Sequence, residues 1–129
     1  MNQPNRHLRR LLEELAFASD VRSKVSAIIL DENGDVISAG HNRLMRVHLV
    51  NSKRTVSEYT AHAEQDCLRT LPRRCRPKTI IIFKINRQGR WKNGHPCPSC
   101  LRVIEAWGIR EVLYSNDDDN WNRIRLDYV

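Results

Sequence analysis

Between Cys67 and Ile104 the sequence contains no acidic residue, against ten lysines and arginines. That imbalance exceeds the net charge of +7 carried by the whole 129-residue chain. One stretch therefore holds the electropositive character, which suits a phosphate-bearing partner, either a nucleotide or a polynucleotide. On charge alone, a solvated basic face that maintains solubility explains it equally well. Long apolar runs are also missing. "AIIL" at 27–30 and "III" at 80–82 fall far below the roughly 18 residues of a membrane-spanning helix, so no membrane partner is expected. The first twenty residues carry Glu13, Glu14 and Asp20, which breaks the acid-poor composition of a transit peptide, and no apolar signal core follows. A cytoplasmic protein is expected. Four cysteines without a secretory signal make a disulfide framework a poor reading, because reducing compartments keep thiols free for metal or redox chemistry. Repeats and low-complexity segments are absent.

The length fits one domain over residues 1–129. Leu8, Leu11, Leu12 and Leu15 recur at the spacing of a buried helical stripe, with Pro4 placed for a first turn, so a helix is expected from about residue 4 to about 18. "KVSAIILD" and "DVISAG" flank Asn33-Gly34, a hairpin signal in which both turn residues adopt positive φ. A polar loop is expected from about 41 to 59. A second helix follows from near Thr60, whose hydroxyl caps it, to a point before Pro72. "KTIIIFKI" is the β-branched run of a strand buried on both faces. After the loop "NRQGRWKNG", Pro98 opens a third helix that turns Leu101, Ile104 and Trp107 or Ala106 inward and ends at Gly108. "REVLYS" reads as a strand, and the tail leans toward strand through the alternation of Ile124, Leu126 and Tyr128, although Asp117 is placed to cap a helix. The order α, β, β, α, β, α, β predicts an α/β sandwich with a mixed sheet covered by helices.

Two clusters carry the chemistry: "TAHAEQDCLRTL" at 60–71 and "GHPCPSC" at 94–100. A catalytic zinc ion takes three protein ligands and leaves a fourth position open. His62, Cys97 and Cys100 supply that count, with thiolate and imidazole donors that suit this ion better than hard cations. Three residues apart at a helix N-terminus, the two cysteines share a side, and the positive end of the helix favours their thiolates. Glu64 lacks a structural role: a capping box from Thr60 needs its acid at 63, and Cys67 and Leu68 offer no basic partner. In a first helical turn it leans over the helix end, where it is positioned for general acid–base work. Competing readings are a closed zinc knuckle completed by Cys67, Cys75 or His95, and a thioredoxin-like Cys-x-x-Cys, which leaves His62 and Glu64 unused.

Taken together, His62-Ala63-Glu64 and Pro96-Cys97-Pro98-Ser99-Cys100 match the pattern H-x-E with P-C-x-x-C. The chain resembles the zinc-dependent cytidine and deoxycytidylate deaminase superfamily over most of its length. The resemblance implies a three-layer α/β/α sandwich of the cytidine deaminase-like type. It implies one catalytic Zn²⁺ held by His62, Cys97 and Cys100, with Glu64 shuttling protons. The implied reaction is hydrolytic deamination of a cytosine nucleoside or nucleotide to its uracil form, with release of ammonia. Asn42, in the glycine, any residue, asparagine segment Gly40-His41-Asn42, is implied to contact substrate. Ala63 is implied to offer its backbone N–H to the base carbonyl. A homo-oligomer is implied as well, since small deaminases of this kind complete their pockets with a neighbouring subunit.

The sequence departs from many such relatives in one place: "RQGRWKNGH" separates the strand from the Pro-Cys motif, and His95 stands where a glutamate is usual. "TAHAE" and "GHNR" also resemble tRNA adenosine deaminases. A base within single-stranded DNA, RNA or tRNA is therefore the alternative substrate, favoured by the basic window and by Trp91, which either stacks on a base or pins its own loop. A third reading is a non-enzymatic zinc module binding nucleic acid. His41, His48 and Cys75 are the conceivable ligands of a second metal.

Overall fold

The computed structural model describes residues 1–48, 56–72 and 74–126, with the backbone alone described for 44–48 and 56–61. Helix α1 spans Arg6–Phe17, with the Asn5 side chain accepting from the Leu8 N–H. Pro4 thus precedes the cap instead of opening the first turn, because Asn5 supplies the better capping oxygen. Leu8, Leu12 and Ala16 form its buried stripe.

Strands β1 (Lys24–Asp31) and β2 (Val36–His41) pair antiparallel as expected. Their connection differs from the two-residue turn. Gly34 alone has positive φ (+83°), because the Asp31 carboxylate accepts from the N–H groups of Asn33 and Asp35 and shapes a wider turn.

The expected loop at 41–59 contains a second strand pair, β3 (Arg43–His48) and β4 (Val56–Ala61). "RLMRVH" and "VSEYTA" carry β-branched and aromatic residues that suit strands, although the polar stretch between them reads as loop; residues 49–55 lie outside the described residues. Thr60 pairs with Leu44 inside β4, so it is extended and caps nothing. Helix α2 is accordingly shorter than expected, spanning Ala63–Arg69 with His62 at its N-cap.

Strand β5 (Pro77–Ile85) is buried along its middle. The two-residue β6 (Trp91–Lys92) folds back onto its end, and helix α3 spans Pro98–Ala106. Strands β7 (Glu111–Ser115) and β8 (Trp121–Arg125) complete the sheet, so the tail is a strand over its described part; Tyr128 lies outside it.

The main sheet runs β2-β1-β5-β7-β8, with β6 added to β5. Among the described residues only β5 and β7 pair in parallel, across the crossover that α3 provides. Helix α1 covers one face through Leu8 and Leu12 against Ile28, Ile81, Phe83 and Leu113. Helices α2 and α3 cover the other through Ala63, Cys67, Leu68 and Ile104 against Ala27, Ile29, Ile80, Ile82 and Val112. The result is the three-layer α/β/α sandwich with a mixed sheet.

Trp107 is 45% exposed instead of turned inward, and Ala106 is exposed too. Helix α3 ends there, and Gly108 at φ +80° swings the chain so that Ile109, fully buried, fills the core position. No helix among the described residues is long and apolar enough to cross a membrane.

Candidate active site

The N-termini of α2 and α3 meet at one end of the sandwich, and neither begins with an ordinary cap. The N-cap residues are His62 and Cys97, and neither side chain makes a capping hydrogen bond. Replacing Ser, Thr, Asp or Asn at such a position costs about 1 kcal/mol of helix stability. Both side chains instead point at each other across the gap. His62 Nδ1 lies 3.1 Å from Cys100 Sγ and 3.7 Å from Cys97 Sγ. The three donor atoms all lie within 4.8 Å of one another.

Ligands of a tetrahedral zinc ion, at roughly 2.0 Å for nitrogen and 2.3 Å for sulfur, stand roughly 3.6–3.8 Å apart. The 3.7 Å from His62 to Cys97 meets that demand, the 3.1 Å to Cys100 is about half an ångström shorter, and an imidazole with two thiols is a donor set for this ion. No fourth His, Cys, Asp or Glu joins the group among the described residues. Cys67 is fully buried in the core under β1, Cys75 lines a groove beside Trp107, and the His95 Nδ1 faces the carbonyl of Pro96 while its ring packs edge-on against Tyr114. Cys67 and Cys75 are therefore placed elsewhere, and His95 lines the same cavity without joining the ligand group. His41 faces the backbone of Asn42 and joins no ligand group with Cys75 among the described residues, and the side chain of His48 lies outside the described residues.

The two cysteines are electrostatically unequal. Burial opposes ionisation of Cys97, but the Ser99 hydroxyl, the Cys100 N–H and thiol, and the neighbouring His62 outweigh it and lower the thiol to about 7. Burial pushes the Cys100 thiol upward, and hydrogen bonding to Cys97 and the nearby Glu64 carboxylate add to the effect. A dication between them would reverse the second effect, since coordination stabilises the thiolate.

Glu64 sits in the first turn of α2, is only 5% exposed, and places Oε2 3.9 Å from His62 Nδ1. With Asn42, His62, Ala63 and Cys97 it lines a cavity of about 300 Å³. The fold thus gathers Asn42, His62, Ala63, Glu64, Cys97 and Cys100 at one end of the sheet. Ala63 is fully buried. Asn42 is nearly so, and most of its polar capacity is already used. Its Oδ1 accepts from Ser19 Oγ at 2.6 Å and from the Val25 N–H at 2.9 Å, while Nδ2 donates to the Ser23 carbonyl at 2.6 Å. One amide hydrogen remains for the cavity, so this side chain can serve an acceptor there and no donor.

The GHN segment has a packing role as well. A Cβ on Gly40 would lie 2.7 Å from Asp66 Oδ2 and 3.0 Å from the Cys67 N, so β2 approaches α2 as only glycine allows. Arg43 then pairs with Asp66 on the same helix.

Trp91 packs in an aromatic trio with Phe83 and Trp121, at centroid distances of 5.0 and 5.3 Å. It pins its loop to the body. The cavity is also lined by residues that sequence reasoning passed over, among them Ser23, Lys84, Asn93 and Gly94. Lys84 had a readable signal, since it interrupts the apolar "IIIFKI" run of a strand buried on both faces. Asn93 and Gly94, in a polar loop, had none.

A mixed sheet sandwiched by helices, with a His-Cys-Cys cluster where two helix N-termini converge, defines the cytidine deaminase-type fold. The chain belongs to the family described as the cytidine and deoxycytidylate deaminase zinc-binding region, whose model matches residues 1–116. Among solved structures it is similar to a mutant cytidine deaminase from Mycobacterium tuberculosis, at 21% identity and a TM-score of 0.57, over 87% of this chain and 85% of that one. At that identity the likeness concerns the fold. No curated protein matches the chain.

Proposed function

We propose that the protein hydrolyses the exocyclic amine of a cytosine nucleoside or nucleotide, giving the uracil form and ammonia. The observation that carries this reading is the convergence of His62, Cys97 and Cys100 beside a buried carboxylate, Glu64, at the wall of an open cavity. A zinc ion held by the three ligands supplies Lewis acidity that brings the pKa of water to about 7. The chain's own groups do the rest. Glu64 takes a proton from the attacking water and delivers it to the ring nitrogen as C4 becomes tetrahedral. It then passes the second proton to the departing amine, so that water and cytosine become uracil and ammonia. The Ala63 N–H binds the base carbonyl, and the free amide hydrogen of Asn42 meets an acceptor on the sugar.

A base within a single strand is the second reading, favoured by Arg22 and Arg87, which lie exposed in a groove beside the cavity. Trp91 gives it no support, being packed on Phe83 and Trp121. A non-enzymatic zinc module accounts for the metal ligands but gives Glu64 no role.

The test is a substrate panel. Zinc-loaded protein is offered cytidine, deoxycytidine, their monophosphates and a cytosine-containing oligonucleotide, with ammonia and the fall in cytosine absorbance as readouts. Turnover of at least one supports the reading. Zinc binding with no turnover of any, together with tight oligonucleotide binding, identifies the module instead.

A further inference from the structure

Side chains alternate across a strand, so Ile80, Ile82 and Lys84 of β5 share the face that α2 and α3 cover. Ile80 and Ile82 are fully buried there. Lys84, next on that face, lines the cavity together with Val25, Asn42, His62 and Glu64. A lysine on the core-facing side of a central strand is uncommon unless something pairs with its ammonium, because desolvating an unpaired charge is costly. Among the described residues no ion pair joins Lys84 to Glu64 or to any other acid. Its backbone N–H donates to Ser115 Oγ at 2.9 Å, so the strand end that carries it is anchored.

Away from Glu64 the charge nearby is positive. Ser23 is shared between the cavity and an adjoining groove lined by Arg22, Asn86, Arg87 and Gln88. Among the described residues Glu64, at the catalytic wall, is the only acid lining either. A half-buried ammonium with two exposed guanidinium groups beside it has no use for a neutral sugar, which asks only for hydrogen bonds. It complements an anion attached to that sugar.

We infer that Lys84, supported by Arg22 and Arg87, forms a subsite for a substrate phosphate, which makes phosphorylated cytosine nucleotides the preferred substrates over nucleosides. The inference rests on the deaminase reading of the same cavity. A free monophosphate and a phosphodiester in a strand share this chemistry, and the experiment separates them.

The zinc-loaded full-length protein is assayed for kcat/KM on cytidine, cytidine monophosphate, their deoxy forms and a short cytosine-containing oligonucleotide. In parallel, binding of uridine and uridine monophosphate is measured by calorimetry. The phosphorylated substrates are expected to lead by roughly 10- to 100-fold, the range that a charge-assisted hydrogen bond spans. Lys84→Ala should shrink both the kinetic ratio and the calorimetric difference by a similar factor, and Lys84→Arg should restore most of it. A lead held by the oligonucleotide and lost in Lys84→Ala supports the subsite and names the strand as the source of the phosphate. Equal rates with and without phosphate, or a Lys84→Ala change that lowers all substrates by one common factor, would overturn it. Failure of the deaminase reading shows separately, as no ammonia from any substrate. In that case uridine monophosphate binding still decides: a Lys84-dependent preference over uridine upholds the subsite, and equal binding refutes it.

Discussion

The Nδ1 of His62 lies 3.1 Å from the Sγ of Cys100, although 38 residues separate them. Each belongs to the start of a different helix, and those helices pack on the same face of the sheet. The site therefore depends on how the layers pack as much as on the ligand residues, and that dependence gives the predictions their form.

Cys100→Ser replaces one of two sulfur donors by a poor zinc ligand. Bound zinc, measured by elemental analysis after gel filtration, should fall at least tenfold. The melting temperature in excess zinc should drop to the metal-free value, since a ligand at a thousand times its Kd contributes about 4 kcal/mol. Unchanged zinc content would show that the metal sits elsewhere.

Glu64→Gln keeps the size of the side chain and removes its proton transfer. The turnover number should fall by about 10²- to 10⁴-fold, the usual contribution of a positioned acid–base group, with zinc content unchanged. Loss of metal in this variant would make Glu64 a ligand.

Gly40→Ala introduces a Cβ that would meet Asp66 Oδ2 at 2.7 Å and the Cys67 N at 3.0 Å. The Cys67 N is helix backbone and cannot rotate away. Urea unfolding should show a loss of about 1–3 kcal/mol, the cost of overpacking, accompanied by weaker zinc binding because α2 positions His62. Wild-type stability would mean that β2 and α2 are less closely packed than described.

Asn42→Ala leaves the Val25 N–H and the Ser23 carbonyl without their Asn42 partner, while the Ser19 hydroxyl keeps the backbone carbonyl of residue 42. A loss of at least about 2 kcal/mol is expected, since each buried group left unsatisfied costs about 1–3 kcal/mol. Asn42→Asp should also destabilise, because its second oxygen would face the Ser23 carbonyl. Variants that lose only substrate affinity, with stability intact, would mark Asn42 as a substrate contact without a structural role.

Cys67 gives the protein an alkaline limit. Burial pushes its thiol from 9.0 up to about 12, with the Ser38 hydrogen bond opposing and the charges of Asp66 and Glu64 adding. Below pH 9 both folded and unfolded states hold the proton, and the full stability is present. As pH rises from 9 toward 12 the unfolded chain releases it and the folded chain does not, so stability is lost, by about 4 kcal/mol in all. Cys67→Ala should flatten that slope in urea titrations between pH 9 and 11, and an equally steep decline in the variant would assign it to other groups.

The sequence was readable where a single element carries the pattern. The leucine stripe of α1, the buried run of β5 and the Pro98 to Gly108 span of α3 all show periodicity or punctuation that local physics enforces. The site residues were readable because their chemistry has few other uses at that spacing. What was hidden depends on pairing. Strand β4 borders a polar segment and is held by its partner β3, so Thr60 looked like a cap when it is a strand residue. Trp107 looked like core because helical spacing ignores the turn at Gly108, which gives its place to Ile109. Asn93 and Gly94 are held at the cavity by long-range hydrogen bonds, from the Asn93 N–H to Asp117 Oδ1 and from the Gly94 N–H to the Ser115 carbonyl.

X-ray absorption at the zinc edge of the metal-loaded protein tests the central claim most directly, because it counts the donor atoms. The account predicts two sulfur neighbours at about 2.3 Å and two nitrogen or oxygen neighbours at about 2.0–2.1 Å, falling to one sulfur in any Cys97→Ser or Cys100→Ser protein that still retains metal. Three or more sulfur neighbours would mean that Cys67 or Cys75 closes the site, and the open coordination position that the chemistry needs would not exist.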